Sequence, residues 1–279
     1  MRLLTAITCS FTASLTIALA ACSPQEAPQK KNEQALHVAI GASPQSIDPH
    51  VATGSPGLKV LDALCEGLVN INMQTYEVEP AIATSWEISE DGKRYTFSLR
   101  DDARWSNGDP VTAEDFAYTW KRSLLPAVGW QYAPDFYAIQ GAAEYNKGEH
   151  SDFSKVGVKA LDAHTLQFTL KQPDALLLKQ LGQEITCPVS KKAIEAHGAI
   201  DDVSSRWTDA GNYITNGPFV LREWEINQVI VAEKSPHYWD AANVKLEKIY
   251  FYPIDTESGE ERAFRSGQVQ LTLSGVVPA

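Results

Sequence analysis

Residues 105–116 read WSNGDPVTAEDF, and this stretch decides how the middle of the chain folds. Asn107-Gly108-Asp109-Pro110 is a tight-turn sequence. Glycine accepts left-handed backbone, Asn and Asp bond their own backbone, and proline cannot continue a strand ladder. Thr112 then stands as an N-cap with Asp115 three residues on, which predicts a helix over 113–124. Upstream, residues 86–99 (WEISEDGKRYTFSL) alternate on both sides of Asp91-Gly92, a hairpin signal. Residues 58–69 (LKVLDALCEGLV) place apolar side chains at 58, 61, 64, 65, 68 and 69, a helical spacing. Residues 36–40 form a short apolar strand ended by Gly41 and Pro44. Downstream, 156–170 is a second strand pair turning near Asp162-Ala163, and 190–197 is a short helix stopped by Gly198. Residues 218–221, 228–232 and 248–252 read as strands, and 260–266 as a last helix before Gly267. Strands and helices alternating in this way place the chain in the α/β class.

Composition narrows the function. Of 279 residues, 44% are hydrophobic and 21% charged, which excludes a disordered chain, a collagen and a small disulfide scaffold. Lys plus Arg number 24 against 35 Asp plus Glu, so the net charge is -11 and a nucleic-acid partner is excluded on electrostatic grounds. Only residues 1–21 make a long apolar stretch, which excludes a protein of many membrane spans. That stretch follows Met1-Arg2 and ends in Leu19-Ala20-Ala21-Cys22, a signal peptide with cysteine at the next position. The pattern is similar to the bacterial lipobox, which makes Cys22 the lipidation site and 22–35 a polar tether. Cys9 leaves with the signal, so an exported chain keeps Cys65 and Cys187. The residues alone leave a bridge or two buried thiols, of which the thiols are the plainer reading.

Signals for chemistry are sparse. There is no phosphate-cradling glycine loop, no GxGxxG and no GxSxG. The six histidines (37, 50, 150, 164, 197 and 237) never fall at HxxH or HxxxH spacing, so each reads as surface or structural. Asp101-Asp102 and Glu260-Glu261 read as solvated faces. No catalytic residue, metal site or cofactor is expected. The seven tryptophans read as core or interface anchors, with ligand stacking as the alternative.

Several stretches, taken in order, resemble the oligopeptide-binding protein family, the extracytoplasmic receptors of peptide ABC importers. They are Ser46-Ile47-Asp48-Pro49-His50, Leu64-Cys65-Glu66-Gly67-Leu68-Val69, residues 80–87 (PAIATSWE) and residues 91–100 (DGKRYTFSLR). WSNGDPVTAEDF, Thr215-Asn216-Gly217-Pro218-Phe219 and Ser235-Pro236-His237-Tyr238-Trp239 continue the series. The resemblance implies a type II periplasmic-binding-protein-like first lobe built from 36–64 and 188–279, with a small extra domain at 65–187. Relatives are roughly twice this length, so it also implies that the second lobe is absent.

It implies backbone contacts to peptide at Thr53, Gly54 and Ser55, and an aromatic contact at Tyr132. Cys65 and Cys187 would both fall where the chain crosses between lobe and small domain, which keeps the bridge open. The expected function is a lipid-anchored receptor on the membrane, facing the periplasm or cell exterior. Its partners are oligopeptides and the permease subunits of an ABC transporter. The alternatives are a remnant that no longer binds, or a lobe that only docks.

Overall fold

Strand β1 (Ala35–Ala39) opens the folded region, and helix α1 (Ser55–Leu64) follows a long loop. The computed structural model describes residues 34–273. The signal peptide, Cys22 and nearly all of the tether lie outside the described residues.

Helix α1 departs from the expected 58–69 at both ends. It starts earlier because Gly54 is extended and Pro56 sits in the first turn, where a missing N–H costs nothing. It ends at Leu64 because Cys65 turns extended, and Val69 already belongs to β2 (Val69–Ile71). Apolar spacing reports burial, and here it reports burial in two places. Cys65 joins one core, while Leu68 and Val69 join another.

Strand β2 pairs with β3 (Val78–Pro80), and β4 (Ala83–Ile88) with β5 (Arg94–Leu99), the expected hairpin. Helix α2 (Ala113–Ser123) begins where Thr112 and Asp115 foretold. The Asp115 carboxylate accepts from the Thr112 backbone N–H at 2.9 Å, the Thr112 hydroxyl at 3.0 Å and Trp105 Nε1 at 3.3 Å. The short α3 (Ala142–Asn146) leads to the pair β6 (Val158–Asp162) and β7 (Thr165–Thr169). Then come α4 (Leu177–Gln180), α5 (Lys191–His197), β8 (Phe219–Glu225), β9 (Val229–Lys234) and β10 (Lys248–Tyr252). Helix α6 (Glu257–Arg265) and β11 (Leu271–Thr272) close the described region. Strands β2, β3 and β11 and helices α3 and α4 went unread in the sequence, being too short to show a period.

A five-stranded sheet runs β11-β1-β10-β9-β8, with β1 parallel to β10 and β11 and with β9 antiparallel to its neighbours. A four-stranded antiparallel sheet runs β4-β5-β7-β6. The fold is therefore α/β, and one compact unit holds two main cores. One core draws on residues between Leu68 and Ile185, including Phe97, Trp120 and Phe168. The other draws on residues up to Cys65 and from Cys187 onward, including Trp207, Ile230 and Phe251. At the two crossings Cys65 and Cys187 are joined in a disulfide, with Cα atoms 6.0 Å apart. The two-thiol reading gives way here because the abrupt end of α1 brings Cys65 against the returning chain.

Glu260 also departs from expectation. It is 1% exposed, and its Oε1 accepts from the Gly41 N–H at 3.1 Å. Chain neighbours on a helix point to different sides, so Glu260 is inside while Glu261 pairs with Arg265 outside.

Candidate functional site

In open α/β sheets, ligands settle outside the carboxyl ends of the strands. Strands β1 and β8 point the same way, so the loop after β1 and the turn after β8 share one edge of the five-stranded sheet. Two grooves open there, on either side of residues 43–46. One has a volume of about 380 Å³ and is lined by Pro44, Val51, Thr53, Gly54, Pro56 and Gly57. The other, about 1000 Å³, reaches Val203, Trp224 and Ile226. Residues 43–46 pack directly on α1: a Cβ at Gly57 would lie 2.6 Å from the Ser46 carbonyl oxygen, so only glycine fits.

Thr53, Gly54 and Ser55 are all exposed. Gly54 is extended (φ -118°, ψ 148°), and α1 has no side-chain cap. Among the described residues, no group accepts from the N–H of Thr53, Gly54 or Ser55. Ser55 already belongs to α1, so the free donors sit on an exposed stretch that is extended at Gly54, a place where another backbone can pair.

This segment is held from behind by a buried polar cluster. Asp48 accepts from Arg122 Nη1 at 2.9 Å and Nη2 at 2.6 Å. Its carbonyl oxygen accepts from Val51 and Ala52, turning the chain toward Thr53. Arg122 Nη1 also donates to His50 Nδ1 at 2.7 Å. All three residues are at most 3% exposed. Burial, then the Arg122 charge, lowers the His50 pKa to about 3, with Asp48 opposing. His50 is thus neutral and accepts through Nδ1.

The His50 ring meets the edge of Trp130 at 5.8 Å, and Trp130 meets Tyr132 at 6.5 Å. Tyr132 is half-buried against the core of residues 68–185 and lines neither groove. Thr53 and Gly54 thus line one groove, while Tyr132 lies apart from it, joined to the cluster by the ring contacts of His50 and Trp130. Sequence reading did not single out the Asp48–Arg122–His50 cluster. Its one signal was Arg122, a charge three residues past Thr119 on the buried stripe of α2.

A second junction binds the two cores. The Asn216 side chain brackets the Glu66 backbone, accepting from its N–H at 3.2 Å and donating to its carbonyl at 2.8 Å. The Glu66 carboxylate accepts from the Tyr238 hydroxyl at 2.7 Å and Trp239 Nε1 at 2.6 Å. Burial raises the Glu66 pKa in spite of these two donors, which act to lower it. The Arg100 guanidinium lies over the Trp239 ring, 3.0 Å from its centroid. Ser106 N–H donates to the Thr215 carbonyl at 2.7 Å. Gly217 passes so close to α1 that a Cβ there would sit 2.5 Å from the Leu64 carbonyl carbon and the Cys65 nitrogen. Stretches far apart in sequence thus meet in one clasp beside the disulfide. Among the described residues no group of three or more His, Cys, Asp or Glu could hold a metal ion, and no helix is long and apolar enough to cross a membrane.

The sequence model for bacterial extracellular solute-binding proteins, family 5 (middle region), matches residues 77–278. The chain belongs to this family. Among curated family-5 relatives, the periplasmic oligopeptide-binding protein OppA of Escherichia coli K12 is 38% identical over 83% of this chain and 41% of its own length. The dipeptide-binding protein DppE of Bacillus subtilis is 34% identical over 95% of this chain and 48% of its own. Solved family-5 structures agree. OppA of Haemophilus influenzae, in complex with RPPGFSPFR, matches with a TM-score of 0.82 at 32% identity, over 88% of this chain and 47% of that one. The E. coli murein tripeptide-binding protein MppA matches with 0.79 at 36%, over 85% and 45%. The chain spans about half the length of the relatives it matches, and its fold is that of the N-terminal half of a family-5 protein.

Proposed function

We propose that this chain supplies the first lobe of a lipid-anchored, extracytoplasmic receptor for oligopeptides that serves an ABC importer. The observation that carries the reading is the exposed segment Thr53-Gly54-Ser55, extended at Gly54 where it enters α1, whose N–H groups have no partner among the described residues. A peptide laid along it would pair backbone to backbone as an added strand. Such pairing ignores side chains and suits a receptor for mixed sequences. Residues 65–187 form the small extra domain in this reading, and Tyr132 offers an aromatic face from it. The reading is of a binder and not of an enzyme, supported by relatives that are solute-binding proteins. Closure around an extended ligand supplies the mechanism, with no covalent step.

The test is a thermal melt with and without a mixed pool of short peptides. Ligand at about a hundred times its dissociation constant adds roughly 2.7 kcal/mol, a rise of several degrees at this size. A cooperative melt that ignores peptide overturns binding by this lobe and favours a docking role. Anchoring through Cys22 has a separate check: the Cys22→Ala protein should leave the membrane fraction, and continued sedimentation with membranes refutes the anchor.

A further inference from the structure

A pocket of about 170 Å³ opens beside the disulfide and is lined by both Cys65 and Cys187. Cys65 is 8% and Cys187 2% exposed, so the bridge lies at the floor and Cys65 is its more accessible end. Three carboxylate residues stand in the walls: Asp62 from α1, Glu66 next to Cys65, and Glu184 from the turn before Cys187. Asp62 is exposed, while Glu66 and Glu184 are half-buried. Among the described residues that line the pocket there is no Lys, Arg or His. Burial raises the Glu184 pKa, and the Asp62 charge adds to the rise, so these two carboxylates feel each other. Arg100 and Asp240 act on Glu66 with opposite signs, and neither lines the pocket.

We infer that this pocket is the route by which small thiols reach the disulfide, and that its carboxylates select among those thiols by charge. The inference does not depend on peptide binding. In the exchange, an incoming thiolate bonds to Cys65 Sγ, the bond between the two Sγ atoms breaks, and Cys187 leaves as a thiolate that takes a proton from water. A second thiolate then attacks the mixed disulfide, freeing Cys65 and carrying the first thiol away as a small disulfide. Negative charge therefore enters the pocket and is shared among the sulfurs during each displacement. Carboxylates in the walls oppose it, more strongly when the thiol bears an anionic group and less when it bears an ammonium. The bridge that fastens the two cores is thus shielded from anionic thiols and open to cationic ones.

The experiment reduces the full chain at low salt with cysteamine, mercaptoethanol and mercaptoethanesulfonate, which are cationic, neutral and anionic. Loss of the linked Cys65–Cys187 peptide is followed after acid quench and digestion. Each rate is taken per thiolate and divided by that thiol's rate on uncharged hydroxyethyl disulfide, which removes differences in nucleophilicity. The cationic thiol should then exceed the anionic one on the order of tenfold, and added salt should shrink the gap. Asp62→Asn and, separately, Glu184→Gln should each narrow it by roughly threefold. Both substitutions keep the size of the side chain and remove only its charge. A gap that is absent in the wild type, or that survives unchanged in both variants, overturns the selection by charge. Rates that do not depend on thiol concentration overturn the route, because the bridge would then be reached only after the fold opens.

Discussion

Taking the protein from about pH 7 to about pH 4.5 is expected to remove roughly 2.7 kcal/mol of stability through His50 alone. In the unfolded chain this histidine titrates near the ordinary imidazole value of 6.5, whereas in the fold burial and the Arg122 charge lower its pKa to about 3. Below pH 6.5 the unfolded state takes up a proton that the folded ring refuses. The folded state therefore loses about 1.4 kcal/mol per pH unit until the folded pKa is reached, close to 5 kcal/mol in full. The refusal has a visible cause. The ring is 2% exposed, and Arg122 Nη1 already donates to Nδ1 at 2.7 Å, so a proton there would face a cation. Urea unfolding of wild type and His50→Gln across this pH range isolates the effect from the carboxylates, which titrate in both. Wild type should fall relative to the variant over that range. Parallel curves would show that His50 titrates normally and that the buried cluster is wrong.

Opening the Cys65–Cys187 disulfide is expected to cost up to about 5 kcal/mol, because the bridge closes a loop across 122 residues of sequence. At this size such a loss lowers the melting temperature by on the order of 10–20 °C. The bridge also fastens the two chain crossings between the cores, so its loss should let the core of residues 68–185 melt apart from the other. The measurement is a pair of melts, one oxidised and one in reductant, with Cys65→Ser/Cys187→Ser as a control that cannot reoxidise. Equal melting temperatures, with free thiols confirmed in the reduced sample, would refute the prediction.

What the sequence made legible was local. Thr112 with Asp115 marks the start of α2, Gly198 ends α5, and Asp91-Gly92 turns the β4–β5 hairpin. Each signal acts within about four residues, through a hydrogen bond or backbone preference that needs no distant partner. The spacing at residues 58–69 shows the limit: it identified buried positions correctly but could not say that two cores bury them. Glu260 shows it again, since nothing near it in sequence announces the Gly41 N–H that it meets.

The sequence by itself determined the α/β class, most of the longer elements and, through the ordered motifs, the family. Tertiary structure alone decided where those motifs meet. Asp48 finds Arg122 across 74 residues and Glu66 finds Asn216 across 150. Only the tertiary structure placed Thr53 and Gly54 in the lining of a groove beside residues 43–46. The reason is that a buried polar group must be paired, and its partner is chosen by which surfaces the cores bring together and not by distance along the chain.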